Sequence, residues 1–165
     1  MMTLQSRRQA TLYLPSPDRE RIDSLRSRFN PVQFDLIKAH VTLCREDEVL
    51  DWNALSSRLS DVGAIEVALT FGRPVREQNL VYLPAIGSVE PFDALRNSLL
   101  STQDSRPRKH DPHITLIHPR NGICTDSTFE EIASQMVPFS TTFRRVALIE
   151  QYDGGKWQDV DYPLG

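Results

Sequence analysis

His40-Val41-Thr42-Leu43 and Pro112-His113-Ile114-Thr115-Leu116 decide how this chain is read. In each run a histidine and a threonine stand two apart, with branched or long apolar residues between and after them. Side chains on a strand alternate between its faces, so His40 and Thr42 share one face while Val41 and Leu43 turn to the other. The same parity joins His113 to Thr115 and sets Ile114 and Leu116 behind them. Each run therefore predicts a short strand with an imidazole and a hydroxyl on an apolar-backed ledge.

Working outward, the two runs close matching stretches. Thr11-Leu12-Tyr13-Leu14-Pro15 opens one stretch and Leu80-Val81-Tyr82-Leu83-Pro84 the other, each a β-prone run stopped by proline. A helix is predicted after each, over Asp18 to Phe29 and Glu90 to Leu100. Ile22, Leu25 and Phe29 recur at helical spacing in the first, Phe92, Leu95 and Leu99 in the second. Asp23-Ser24-Leu25-Arg26 is echoed by Asp93-Ala94-Leu95-Arg96. The copies stand 69 residues apart at Tyr-Leu-Pro, 70 at the helix and 73 at the histidine, as small loop insertions would produce. The repeat spans roughly 10–72 and 79–150 and implies two similar lobes within a single domain, 1–165.

Elsewhere the pattern predicts a helix from Asp51 to Leu59, a strand from Ala64 to Phe71 and a helix from Thr125 to Met136. It also predicts one long strand from Phe139 to Glu150 and a last one from Lys156 to Tyr162. Strands and helices mix without a βαβ rhythm, which makes the fold class α+β with mostly antiparallel sheet.

The bulk composition excludes more than it selects. The chain has 165 residues, 39% hydrophobic and 25% charged, the mixture of an ordinary globular domain. A net charge of -3 advertises no long duplex nucleic acid as partner, though a local arginine cluster can still bind a small anion. Two cysteines, Cys44 and Cys124, make no disulfide framework and read as reduced thiols. No apolar run suits a signal peptide or a membrane span, so a cytoplasmic monomer is expected.

Paired imidazoles suit phosphodiester chemistry. One must take a proton from the attacking oxygen while the other gives one to the leaving oxygen, and imidazole does either near neutral pH. Threonine hydroxyls can donate to the phosphoryl oxygens. His40 and His113 are thus the candidate acid–base pair, Thr42 and Thr115 the candidate phosphate contacts, and no metal or other cofactor is required. Tyr13 and Tyr82, being duplicated, are candidates to line the groove and stack on a base or, equally, to belong to the core. Arg45, Arg106, Arg108, Lys109 and Arg120 flank the motifs, and Arg45 and Arg120 are the candidates to touch substrate. Two other readings stand beside these. His110, His113 and His118 with Asp111 resemble a metal cluster, but parity puts 110 and 118 opposite 113 on a continuous strand. Asp111 shares the parity of His113 and could orient its ring. Cys44 shares that of His40, as a small filler rather than a nucleophile.

The paired His-x-Thr-Leu motifs, the Tyr-Leu-Pro runs and Pro112-His113-Ile114-Thr115-Leu116 resemble the 2H phosphoesterase superfamily, over roughly residues 10 to 150. The resemblance implies a bilobal, pseudo-twofold fold with helices outside and the histidines facing each other across a central cleft. It also implies a small nucleotide or RNA terminus bearing a cyclic (2′,3′-type) or 2′-5′ phosphodiester as substrate. Lys38-Ala39 and Cys44-Arg45-Glu46 around the first motif depart from the aromatic or basic flanks of many relatives. The rival functions are a non-catalytic binder that keeps the cleft and a metal-dependent hydrolase.

Overall fold

The structure is a computed structural model that describes residues 6–104 and 108–160. The first half runs β1 (Ser6–Tyr13), α1 (Asp18–Phe29), α2 (Pro31–Leu36), β2 (His40–Cys44), a single 3-10 turn at Glu46–Glu48, α3 (Trp52–Val62) and β3 (Val67–Phe71). The second runs β4 (Val75–Glu77), β5 (Leu80–Ile86), α4 (Glu90–Leu100), β6 (His113–Ile117), α5 (Asp126–Gln135), β7 (Phe139–Phe143), β8 (Ala147–Tyr152) and β9 (Gln158–Asp159).

Two antiparallel sheets result, in an α+β fold. The first has the order β2-β1-β8-β9; the second has β4-β5-β3-β7, with β6 also on β5. β6 lies on β5 as β2 lies on β1, and β3 lies on β5 as β8 lies on β1. β3 belongs by sequence to the first repeat and β8 to the second. Each repeat therefore gives a strand to the other's sheet, and one apolar cluster takes in Leu12, Val41 and Leu148 with Leu83, Ile114 and Phe71. Burial on this scale, at ~25 cal/mol per Å² of apolar surface, is the main force closing the halves on each other.

Both ledge strands have the expected parity. Val41, Leu43, Ile114 and Leu116 are buried, while His40, Thr42, His113 and Thr115 are half-buried. The helices α1 and α4 keep their predicted bounds. α3 and α5 start where side chains can satisfy free helix amides: Asp51 accepts from Ala54 N–H, Thr125 from Thr128 N–H. α3 stops at Gly63, whose φ of 71° suits a residue without Cβ.

Four expectations are corrected. The Tyr-Leu-Pro echo is out of step with the structural repeat. β1 pairs Thr11 with Thr42 and Tyr13 with His40, whereas β5 pairs Tyr82 with Thr115 and Pro84 with His113. Both strands carry a register shift just before this point, between Ala10 and Thr11 and between Val81 and Tyr82. Thr11 and Tyr82, 71 residues apart, are the true equivalents. Second, β5 continues past Pro84, whose carbonyl accepts from Gly72 N–H at 2.8 Å. Third, the strand expected over Phe139 to Glu150 is two, β7 in the second sheet and β8 in the first. The exposed pair Arg144-Arg145 interrupts the buried alternation and lets the chain change sheets. Fourth, α2 and β4 form where no element was predicted. The strand of Ala64 to Phe71 begins only at Val67, and the last strand is reduced to Gln158–Asp159, with Tyr162 outside the described residues.

Candidate active site

β2 and β6 contact each other across the join of the two sheets, and a cleft of about 590 Å³ opens over them. His40, Thr42, His113 and Thr115 all line it. So do His110 and His118, which brings all four histidines of the chain to one place. A larger open hollow of about 690 Å³ over β3 and β7 carries hydroxyls such as Ser16, Thr70 and Ser140 but no imidazole or guanidinium. The candidate site is therefore the smaller one.

The two ledge histidines are oriented the same way. His40 Nδ1 stands 2.8 Å from the Lys38 carbonyl and His113 Nδ1 stands 2.9 Å from that of Asp111. A carbonyl only accepts, so each ring donates Nδ1–H to the carbonyl two residues back and keeps Nε2 for the cleft. The carbonyl of Asp111, not its exposed carboxylate, orients His113. Tyr13 packs edge-on against His40, with ring centroids 6.2 Å apart, and Tyr82 against His113 at 5.7 Å. Neither tyrosine is among the cleft-lining residues; each supports a histidine from the adjoining strand instead.

The two rings sit in different surroundings. Burial, helped by the charge of Arg26 and the proximity of His113, pushes His40 down to about 4. Its ring is neutral over the physiological range. The hydrogen bond that orients His113 is exposed, whereas that of His40 is partly buried.

The cleft is cationic in an acidic protein. Among the described residues Arg7, Arg26, Arg45, Arg108 and Arg120 line it, against only Glu46 and Asp47. Glu46 accepts from Arg7 at 3.0 Å and Asp47 pairs with Arg108, so both carboxylates are already matched. Among the described residues neither Arg45 nor Arg120 has an ion-pair partner. Lys109 is exposed outside the cleft, and Arg106 lies outside the described residues.

The remaining histidines are committed to structural bonds. His110 donates Nε2–H to the Thr42 carbonyl at 2.8 Å, stacks on Phe92 and is pushed down to about 4 by burial. Its Nδ1 is buried without a partner. His118 Nδ1 accepts from Arg120 N–H at 3.0 Å. The parity that separated 110 and 118 from 113 does not operate, because β6 covers only His113–Ile117 and both neighbours lie on bending chain. Among the described residues no group of three His, Cys, Asp or Glu side chains is placed to hold a metal ion. Cys44 is fully buried and its thiol is pushed up to about 12, which leaves no thiolate to attack.

Sequence reasoning passed over Arg7, Gln9, Arg26, Gln33 and Trp157, all of which line the cleft. For Arg26 a signal existed. Its echo at Arg96 places a charged residue on the inward face of both helices, one turn beyond Ile22 and Phe92.

Two His-x-Thr ledges over one cleft, between two interlocked antiparallel sheets, are the fold and motif arrangement of the two-histidine class. The chain belongs to the 2′-5′ RNA ligase superfamily, the 2H phosphoesterases, whose family model matches residues 14–155. Among solved structures it is similar to E. coli LigT complexed with phosphate, at 18% identity over 96% of both chains and a TM-score of 0.61. LigT complexed with 3′-AMP gives 20% identity, a TM-score of 0.59 and coverage of 94% of this chain and 98% of that one. A structure described as a phosphoesterase gives 19% identity, a TM-score of 0.57 and coverage of 94% and 99%. No curated protein matches the chain. Among the described residues no helix is long and apolar enough to cross a membrane.

Proposed function

We propose that this protein opens, and in reverse forms, a cyclic (2′,3′-type) or 2′-5′ phosphodiester on a small nucleotide or RNA end, with two histidines and no metal. The observation that carries this is the matched orientation of His40 and His113 in one cationic cleft, each holding Nδ1–H on a carbonyl and keeping Nε2 for the substrate. In the hydrolytic direction a water oxygen attacks phosphorus while His40, neutral in the free protein, accepts its proton. The bond from phosphorus to the ribose oxygen breaks, and that oxygen takes a proton from His113. Thr42 and Thr115 donate hydroxyl hydrogens to the phosphoryl oxygens, where negative charge concentrates. Synthesis exchanges the two roles.

A cleft of about 590 Å³ suits a nucleotide-sized ligand. Arg45 and Arg120, without carboxylate partners among the described residues, serve as its anion contacts. The known complexes of LigT with phosphate and with 3′-AMP are consistent with a ligand of this class.

The test is hydrolysis of the four 2′,3′-cyclic nucleotides in EDTA by wild type, His40→Ala and His113→Ala. The expected result is turnover by wild type and loss of about 10²–10⁴-fold in each variant. Turnover that EDTA abolishes and a divalent ion restores would replace this reading with a metal-dependent one.

A further inference from the structure

Each ledge strand rests on a helix from the other repeat: α1 packs on β6 and α4 on β2. At matching places in those helices stand two buried arginines, Arg26 at 2% exposure and Arg96 at 3%. Arg26 donates Nε–H to the Thr115 carbonyl at 3.1 Å and Nη1–H to Asp23 Oδ1 at 2.7 Å. The same Asp23 oxygen accepts Ala39 N–H at 3.0 Å. One guanidinium and one carboxylate thus join the second motif's backbone to the amide beside His40. Arg96 grips the Leu43 carbonyl at 2.9 Å, the Arg108 carbonyl at 2.7 Å and the Glu48 carboxylate.

Burying a guanidinium is costly, and an apolar residue of similar volume would often serve stability as well or better. The two arginines also differ: Arg26 lines the cleft and Arg96 does not. We propose that Arg26 is a positioning residue for the reaction described above, its fork setting the separation of the two His-x-Thr motifs from the floor of the cleft that His40 also lines. The other groups facing His40 are Tyr13 from β1 and His113 from β6, with the Lys38 carbonyl on Nδ1. Arg26 supplies a buried permanent positive charge, in a cleft that Arg7, Arg45, Arg108 and Arg120 also line. That charge adds to the effect of burial in holding the His40 ring neutral.

The inference rests on the proposed function for its kinetic arm, but not for its spectroscopic one. NMR titration of the imidazoles compares wild type, Arg26→Gln and Arg96→Gln, beside kcat and KM on a 2′,3′-cyclic nucleotide. In Arg26→Gln the His40 midpoint should rise, by the part of its depression that burial does not cause. In Arg96→Gln it should stay, although that variant also loses a buried arginine. Where wild type turns over, Arg26→Gln should lose on the order of tenfold or more in kcat with KM changed far less. Arg26→Lys restores the charge without the fork, so His40 should titrate as in wild type while kcat stays low. An unmoved His40 midpoint in Arg26→Gln, or wild-type kcat in Arg26→Lys, overturns the proposal. Should Arg26→Gln not fold, Arg26→Lys decides by kcat. If wild type itself proves inactive, the functional reading fails, and the titration still decides whether Arg26 acts on His40.

Discussion

The first and second ledges are built alike and furnished differently. In both, a histidine donates Nδ1–H to the carbonyl two residues back, an aromatic ring from the adjoining strand meets it edge-on, and the following carbonyls are gripped by the other repeat. His40 is half-buried, with Arg26 lining the same cleft and its ring pushed down to about 4, mainly by burial. His113 has an exposed orienting bond and another imidazole, His110, 6.0 Å away by ring centroids. Duplication supplies two equal groups, but acid–base catalysis needs unequal ones, one ready to accept a proton and one to give it. The difference lies in what surrounds the repeated residues rather than in the residues themselves.

The strongest way to break this comparison is to remove both histidines together. If they act as a unit, the double variant His40→Ala, His113→Ala should lose little more than the worse single variant in steady-state kcat. Multiplying losses would mean independent roles. A smaller effect is expected from the hydroxyls: Thr42→Val and Thr115→Val should each cost on the order of 10² in kcat, as other removed phosphoryl or oxyanion donors do. Unequal losses would show which ledge carries the charge that develops in the transition state.

Stability should record the same asymmetry. His40 and His110 both have folded-state values near 4, below the ordinary 6.5. The unfolded chain therefore binds protons first, and stability present above pH 6.5 should be lost as pH falls toward 4. The slope approaches about 1.4 kcal/mol per pH unit for each histidine. Burial alone would raise Glu48, but hydrogen bonds and charge from Arg96 hold it down to about 2, so its contribution is lost as pH falls from the ordinary 4.5 toward 2. Thermal unfolding from pH 7 to 3 measures both. His110→Phe should flatten the upper part of that curve while leaving the Thr42 carbonyl without its donor. The smallest effects fall on the helix caps. Asp51→Ala and Thr125→Ala should each cost about 1 kcal/mol, seen as similar drops in Tm.

What the sequence made legible was local. Parity on β2 and β6 follows from two-residue alternation, and the ends of α1 and α4 follow from helical spacing around Ile22, Leu25, Phe92 and Leu95. What it hid was decided over distance. A register shift of the kind at Ala10 and Val81 leaves no mark in composition, so the Tyr-Leu-Pro runs looked equivalent when Thr11 and Tyr82 are. The crossing of β3 and β8 between sheets depends on which edge is free, not on either strand's own residues. His110 and His118 reach the cleft because the chain bends at both ends of β6, where strand parity gives no guidance. Arg26 was visible as an echo, but only its partners, the Thr115 carbonyl and Asp23, show what it does.

The most direct test of the unequal pair is the pH profile of kcat/KM on a 2′,3′-cyclic nucleotide in EDTA, with folding checked at each pH. The account predicts an acid limb near 4, from protonation of His40, and an alkaline limb from the imidazole that must arrive protonated. An acid limb near 6.5, or a profile with no limb that His40→Ala or His113→Ala removes, would contradict it.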